Sequence, residues 1–294
     1  MTIRQSCKVL ASALLTATVL ALPAVSAPAP ATGVVNVDLK LVIATDVSRS
    51  ITDEEATLQR EGTAEAFLSP EVAKAIQSGA LGRIAVSMID FSSPEFDRVV
   101  IDWQIISDAA SATAFAQRVR STPRTPGRRT SVSSALELGA LLLEASEKNI
   151  KATRRVIDVS GDGPNNDGRR MSDVHKEVLA QNIVVNGLPV MDDNANGYYP
   201  GLDKYYAGCV VGGRGAFVVV VRAFKDFGTA MRRKLILEIS QNESQIKQAE
   251  NDGQSRALVR TIAATPDALP QIIRPGNNEY SEQCDRNGFG FGGF

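Results

Sequence analysis

Three short segments of this chain put oxygen side chains where a cation could use them. In Asp46-Val47-Ser48-Arg49-Ser50, directly after a strand-like run, one acid and two hydroxyls alternate and point the same way. Thr130 opens T-S-V-S-S-A-L ahead of a helical stretch, and Asp162 stands between glycines in Ser160-Gly161-Asp162-Gly163. Hydroxyls and carboxylates without sulfur or imidazole suit a hard cation. A small, incomplete set suits Mg2+, which keeps several of its waters, or Mn2+. The competing reading is that the serines only cap the following helix.

For these segments to meet, strands must end side by side. Strand-like stretches cover residues 35–44, 83–91, 99–106, 155–159, 183–188 and 216–221, and the second and third form a hairpin across a short turn. Helical patterns cover residues 52–68, 108–120, 132–148, 171–181 and 224–239, the last with Phe224, Phe227, Met231, Leu235 and Ile239 on one face. Thr52 or Ser50 can cap the first helix, whose opening turn holds Asp53, Glu54 and Glu55. This alternation implies an α/β fold: a doubly wound, mostly parallel six-stranded sheet with one antiparallel edge strand and helices on both faces. Ligands bind such sheets beyond the carboxyl ends of the strands, where all three oxygen-bearing segments fall.

With those segments in that order, the chain resembles a von Willebrand factor A-type domain with a metal-ion-dependent adhesion site, and within that family a secreted bacterial branch of unassigned function. The resemblance spans residues 35–240. It implies that Ser48, Ser50 and Thr130 coordinate the metal, that Asp46 and Asp162 hold its waters, and that a vacant coordination position accepts a carboxylate from a protein partner. Two departures stand out: Arg49 occupies a position where many members have glycine, and Arg128 and Arg129 precede Thr130 where glycines are common. With Arg169 and Arg170 after the Asp162 loop, up to five guanidinium groups ring the site. Two readings of this rim stand level. It steers an acidic partner segment through charge-assisted contacts, or it pairs on a solvated surface with Asp53, Glu54, Asp167 and Asp173.

A second candidate lies after the fifth strand. Asp192, Asn194 and Asn196 before Gly197, with Asp203 at the twelfth position, follow a calcium-loop pattern, so Ca2+ is a further cofactor candidate. Against it, Asp replaces the usual bidentate Glu, Pro200 and Gly201 interrupt the loop, and an Asx-rich turn accounts for the same residues. Tyr198, Tyr199, Tyr205 and Tyr206 bracket this insertion; the last two are read as packing residues because Cys209 pins their segment.

The 294 residues carry 32 Lys plus Arg against 33 Asp plus Glu and a 44% hydrophobic content, which argues against disorder and gives no basic excess for nucleic acid. Arg4 and Lys8 precede an uncharged run over residues 9–25 that ends in small residues, a secretory signal. A membrane anchor is the alternative, but the run is short for a span and contains Pro23. Cleavage after Ala27 or Ala31 satisfies the small-residue rule; the latter avoids Pro28 after the cut and sets the signal at residues 1–31. The domain then covers 35–240, followed by an extension over 241–294 with a mobile Gly/Phe tail and a helix-like stretch at 255–264. Export to a periplasmic or extracellular space leaves two cysteines, Cys209 and Cys284, read as one disulfide rather than two free thiols.

These features point to a secreted binding module that uses a divalent metal to hold a protein partner offering an acidic side chain, with no nucleic acid, no nucleotide and no membrane span once the signal is removed. One alternative is a structural subunit of an envelope assembly with a vestigial metal site. An enzyme is disfavoured: Ser48 stands where a phosphoryl-accepting D-x-D site needs its second acid, His175 is the single histidine, and neither G-x-x-x-x-G-K-[ST] nor G-x-S-x-G occurs. Metal-assisted hydrolysis is the remaining catalytic option.

Overall fold

The apolar run after residue 35 forms β1 (Val35–Asp46), buried on both faces because it lies inside the sheet. The computed structural model describes residues 33–192, 199–240, 271–273 and 282–285, whose elements fall in the unit Val34–Phe294. The expected signal at 1–31, the helix-like stretch at 255–264 and the terminal Gly/Phe residues lie outside the described residues. β1 pairs in parallel with β2 (Ile84–Phe91) on one side and β4 (Ile150–Gly161) on the other, and β2 carries β3 (Arg98–Ile106) as the expected antiparallel hairpin. β5 (Val184–Pro189) and the short β6 (Val218–Val219) continue the sheet in parallel beyond β4.

The expected six strands are one too few. β7 (Ile272–Ile273) pairs antiparallel with β6, giving seven strands in the order β3-β2-β1-β4-β5-β6-β7 with an antiparallel strand at each edge. A two-residue strand offers no alternation for a sequence pattern to reveal. β4 starts five residues earlier than its apolar core suggests, because its charged first half pairs with β1 from Val35 opposite Ile150 onward.

Alternate residues of β1 serve two cores. Leu39, Leu41 and Ile43 pack with α1 (Asp53–Leu68), α2 (Pro70–Gln77), α3 (Ala109–Ser121) and α7 (Phe227–Ser240). Val42 and Ala44 pack with α4 (Val132–Ala145), α5 (Met171–Ala180) and the one-turn α6 (Leu202–Tyr205). α7 is anchored by a buried charge cluster in which Lys234 meets Asp158 of β4 and Glu238 one turn on. Buried Lys40 of β1 serves the end of α4, donating to Leu143 O at 2.8 Å and Ser146 Oγ at 3.0 Å.

Cys209 and Cys284 form the expected disulfide, with their Cα atoms 5.6 Å apart. It holds residues 282–285 against α5, whose N-cap Arg170 makes no side-chain cap; instead Asp285 accepts from Ser172 N–H at 3.2 Å and pairs with Arg170 at 3.3 Å. Part of the extension therefore completes the domain. Among the described residues no helix is long and apolar enough to cross a membrane.

Candidate metal site

Parallel register assembles the site. Asp46 lies opposite Phe91 and Thr45 opposite Ser160, so β1, β2 and β4 end at one edge and release their loops together. Asp46 Oδ1 accepts the Ser48 N–H at 2.7 Å, the Ser48 and Ser50 hydroxyls are 3.0 Å apart, and Ser50 donates to Asp162 Oδ1 at 2.8 Å. This chain of contacts joins the loop after β1 to the loop after β4. The cap of α1 is Thr52, whose hydroxyl accepts the Glu55 N–H at 3.2 Å while Glu55 Oε2 accepts the Thr52 N–H at 2.8 Å. Ser48 and Ser50 are thus released from capping duty.

Thr130 enters from the third side, buried, and is laced to the Asp162 loop by Asn166: Thr130 N–H donates to Asn166 Oδ1 at 3.0 Å and Thr130 O accepts Asn166 N–H at 2.8 Å. A side chain at Gly163 would stand 3.6 Å from Thr130 Oγ1, which sets that hydroxyl beside the Asp162 turn. The end of β2 steadies the same loop, since Ser92 Oγ donates to Arg129 O and Ser131 N–H to Ser92 O, both at 2.6 Å.

Two carboxylates meeting out of water should be unfavourable. Burial and then the Asp162 charge push the Asp46 carboxyl up to about 8, against the Ser48 bonds that favour its charged form. Burial also raises Asp162, to about 6. Asp46 Oδ2 and Asp162 Oδ2 are buried without a hydrogen-bond partner. Orphaned acceptors of this kind are rare in folded proteins and ask for an explanation. A hard cation with its waters supplies the missing charge and donors, so these residues fit Mg2+ or Mn2+. Among the described residues no group of three or more His, Cys, Asp or Glu side chains suits a metal; this set is instead two acids with three hydroxyls.

Several participants carried no local signal in the sequence. Arg124, in the loop after α3, donates to Ser48 O at 3.2 Å, contacts Ile51 O and pairs with Asp53 at 2.6 Å, clasping the first loop. Gly127 N–H donates to Val47 O at 3.0 Å. Tyr206 is fully buried beside Asp46, and burial followed by the Asp46 charge raises its hydroxyl well above the ordinary range, so it stays a neutral donor. Its neighbour Tyr205 accepts the Asn165 N–H at 3.2 Å. Both tyrosines are core residues, as their segment suggested, and the Tyr205 hydroxyl also ties to the Asp162 loop.

The five rim arginines divide. Arg169 is held by Glu177 at 2.7 Å and Glu137 at 2.8 Å, and Arg170 by Asp285, partners other than those the charge pattern suggested. Arg49, Arg128 and Arg129 are exposed, and among the described residues no carboxylate lies within ion-pair distance of them. Of the calcium-loop candidates, Asn194 and Asn196 lie outside the described residues. Asp192 accepts the N–H of Phe224, at the start of the segment leading into α7, at 3.1 Å, and Asp203 accepts the N–H of its neighbour Lys204 at 3.0 Å.

A family model described as protein of unknown function (DUF1194) matches residues 36–243. No curated protein matches the chain. Among solved structures, proximal thread matrix protein 1 from the mussel byssus is similar, with a TM-score of 0.51 and 13% identity over 70% of this chain and 49% of that one. A second structure of that mussel protein, with a zinc-occupied MIDAS motif, gives 0.51 and 14% over the same shares. A von Willebrand factor type A protein from Catenulispora acidiphila gives 0.48 and 14% over 68% of this chain and 42% of that one. The chain spans about half the length of the mussel chain. At these identities the likeness speaks for the fold alone, and the sheet agrees with the von Willebrand factor A-like architecture expected from the sequence.

Proposed function

The chain belongs to the family described as protein of unknown function (DUF1194), and on that footing we propose an adhesion-type binding module that holds Mg2+ or Mn2+ at the carboxyl edge of its sheet and through it an acidic side chain of a protein partner. A general binding role agrees with the von Willebrand factor A fold. The observation that carries the metal is the pair of buried, partnerless oxygens, Asp46 Oδ2 and Asp162 Oδ2, on carboxylates joined through Ser48 and Ser50.

Ser48, Ser50 and Thr130 would hold the ion directly, and Asp46 and Asp162 would hold its waters. When bound, the cation offers an open position to a carboxylate. The chain's own residues do the rest. The Ser48–Ser50–Asp162 chain keeps the hydroxyls pre-arranged, and Arg49, Arg128 and Arg129 bring positive potential to the rim, where it raises the encounter rate with an acidic segment. Arg169 and Arg170, already engaged by carboxylates, contribute less.

The same reading assigns no catalysis, since the Ser48 and Ser50 hydroxyls bond each other and Asp162, and the His175 ring faces Val211 O. The disulfide supports an exported, periplasmic or extracellular protein. Titration of the purified protein with Mg2+ and Mn2+ tests the proposal, with Asp46→Ala as control: saturable binding lost in the variant is expected, and a wild type that binds neither ion would sink it. With binding established, capture of a partner from envelope extract should require the metal and be abolished by chelator.

A further inference from the structure

Tyr206 is a large polar side chain that the metal reading does not yet use. Its ring crosses the floor of the site: a side chain at Gly187 on β5 would strike Tyr206 Cδ1 at 2.6 Å, and one at Gly161 on β4 would meet Asp46 Oδ2 at 2.8 Å and the Tyr206 hydroxyl at 3.1 Å. The hydroxyl and Asp46 Oδ2 therefore border the same space above Gly161, and both atoms are buried without a hydrogen-bond partner. The ring cannot swing away, because Tyr206 opens the turn Tyr206–Val210 that contains Cys209, bridged to Cys284. Tyr205, one residue before, is fastened to Asn165 in the Asp162 loop.

We propose that Tyr206 is a positioning residue of the metal site, its hydroxyl donating to Asp46 Oδ2 when a cation is bound there, and that the Cys209–Cys284 disulfide keeps the hydroxyl in place. The proposal rests on the metal reading above. Its logic is a difference between two states. With the ion bound, a hydrogen bond from the hydroxyl orients the carboxylate that would hold the ion's waters, and such a bond to an ionised acceptor is roughly twice as strong as one between neutral groups. Without the cation the buried hydroxyl has no partner, and phenylalanine would fill the same space without an unmet donor.

The test is Mn2+ affinity, read by electron paramagnetic resonance on the full chain with its disulfide intact, alongside the thermal midpoint in chelator. Tyr206→Phe is expected to weaken Mn2+ by about tenfold, in line with loss of a charge-assisted hydrogen bond, while its midpoint in chelator stays equal to or above that of the wild type. A residue that only packs the core would not separate these readouts. Replacing both cysteines (Cys209→Ala with Cys284→Ala) should weaken Mn2+ when Tyr206 is present and change little further in the Tyr206→Phe background, because both act through one hydroxyl. Unchanged affinity in Tyr206→Phe overturns the proposal, as does an affinity loss that merely tracks a lower midpoint in chelator. A wild type that fails to bind Mn2+ overturns the metal reading itself, and this inference with it.

Discussion

Gly161 sits where two side chains need the space that a methyl group would occupy. The missing Cβ lets Asp46 Oδ2 and the Tyr206 hydroxyl close over the strand end, at 2.8 and 3.1 Å from its position. The backbone there cannot retreat, since Gly161 is paired with Pro189 on β5 and its carbonyl accepts from Val190 N–H. Gly161→Ala is therefore expected to destabilise the fold by about 1–3 kcal/mol, the usual range for overpacking, and to turn the Asp46 carboxylate out of its place. A denaturant midpoint measured in chelator reads the first effect and Mn2+ titration the second; a variant with wild-type values in both would show that the site tolerates a wider floor. Asp46, Ser48, Ser50, Thr130 and Asp162 were legible because each stands at a strand end or loop start where residue type and spacing are visible along the chain. Tyr206 and Arg124 were not recognised as site residues, because their reach depends on the packing of distant segments. Cys209, three residues after Tyr206, is the available hint, and it suggests only that the segment is pinned.

At the scale of elements, the loop after β1 stays ordered because others hold it. Arg124 reaches it from the loop after α3, and its interactions are of unequal weight. The pair with Asp53 joins a mostly buried guanidinium to a carboxylate that is 96% exposed, so water screens it and it contributes about 0–1 kcal/mol. The bonds to Ser48 O and Ile51 O lie inside and satisfy carbonyls of the metal loop itself. Arg124→Ala should thus cost about 1–3 kcal/mol, while Asp53→Ala should cost less than about 1 kcal/mol. Equal losses in urea denaturation would reverse that ranking and make the ion pair the dominant tie. Most of the alternating elements were legible, since β1, β2 and β4 are apolar runs and the helices carry periodic faces. The helix α2 escaped notice although Ser69 caps it and Pro70 opens it, because it follows α1 with no loop to separate the two patterns. β7 escaped because pairing with β6, rather than its own two residues, places it in the sheet.

Across the whole molecule, a near-neutral balance conceals acids held where they resist ionisation. Asp46 is raised from 3.8 to about 8, Asp162 to about 6, and Asp158, in the cluster with Lys234 and Glu238, to about 7, each chiefly by burial. The sign follows from proton counting. Between the unfolded and folded values the native state holds protons that the unfolded chain has released, so stability from these groups is fully present below about pH 4 and is lost as pH rises through each folded value. A cation at Asp46 and Asp162 competes for the same sites and removes their share of that loss, leaving the share of Asp158 untouched. Stabilisation by Mg2+ should therefore be small near about pH 5 and grow toward about pH 8, where Asp162 is charged and Asp46 is half ionised. The measurement is the difference between thermal midpoints with Mg2+ and with chelator across that range, which cancels every group the metal does not touch. Asp46→Asn should flatten the difference and leave the slope due to Asp158 in the chelator series. A Mg2+ effect of equal size at both ends of the range would mean that the ion binds elsewhere or that Asp46 is already charged at acid pH, and the site as drawn would have to be abandoned.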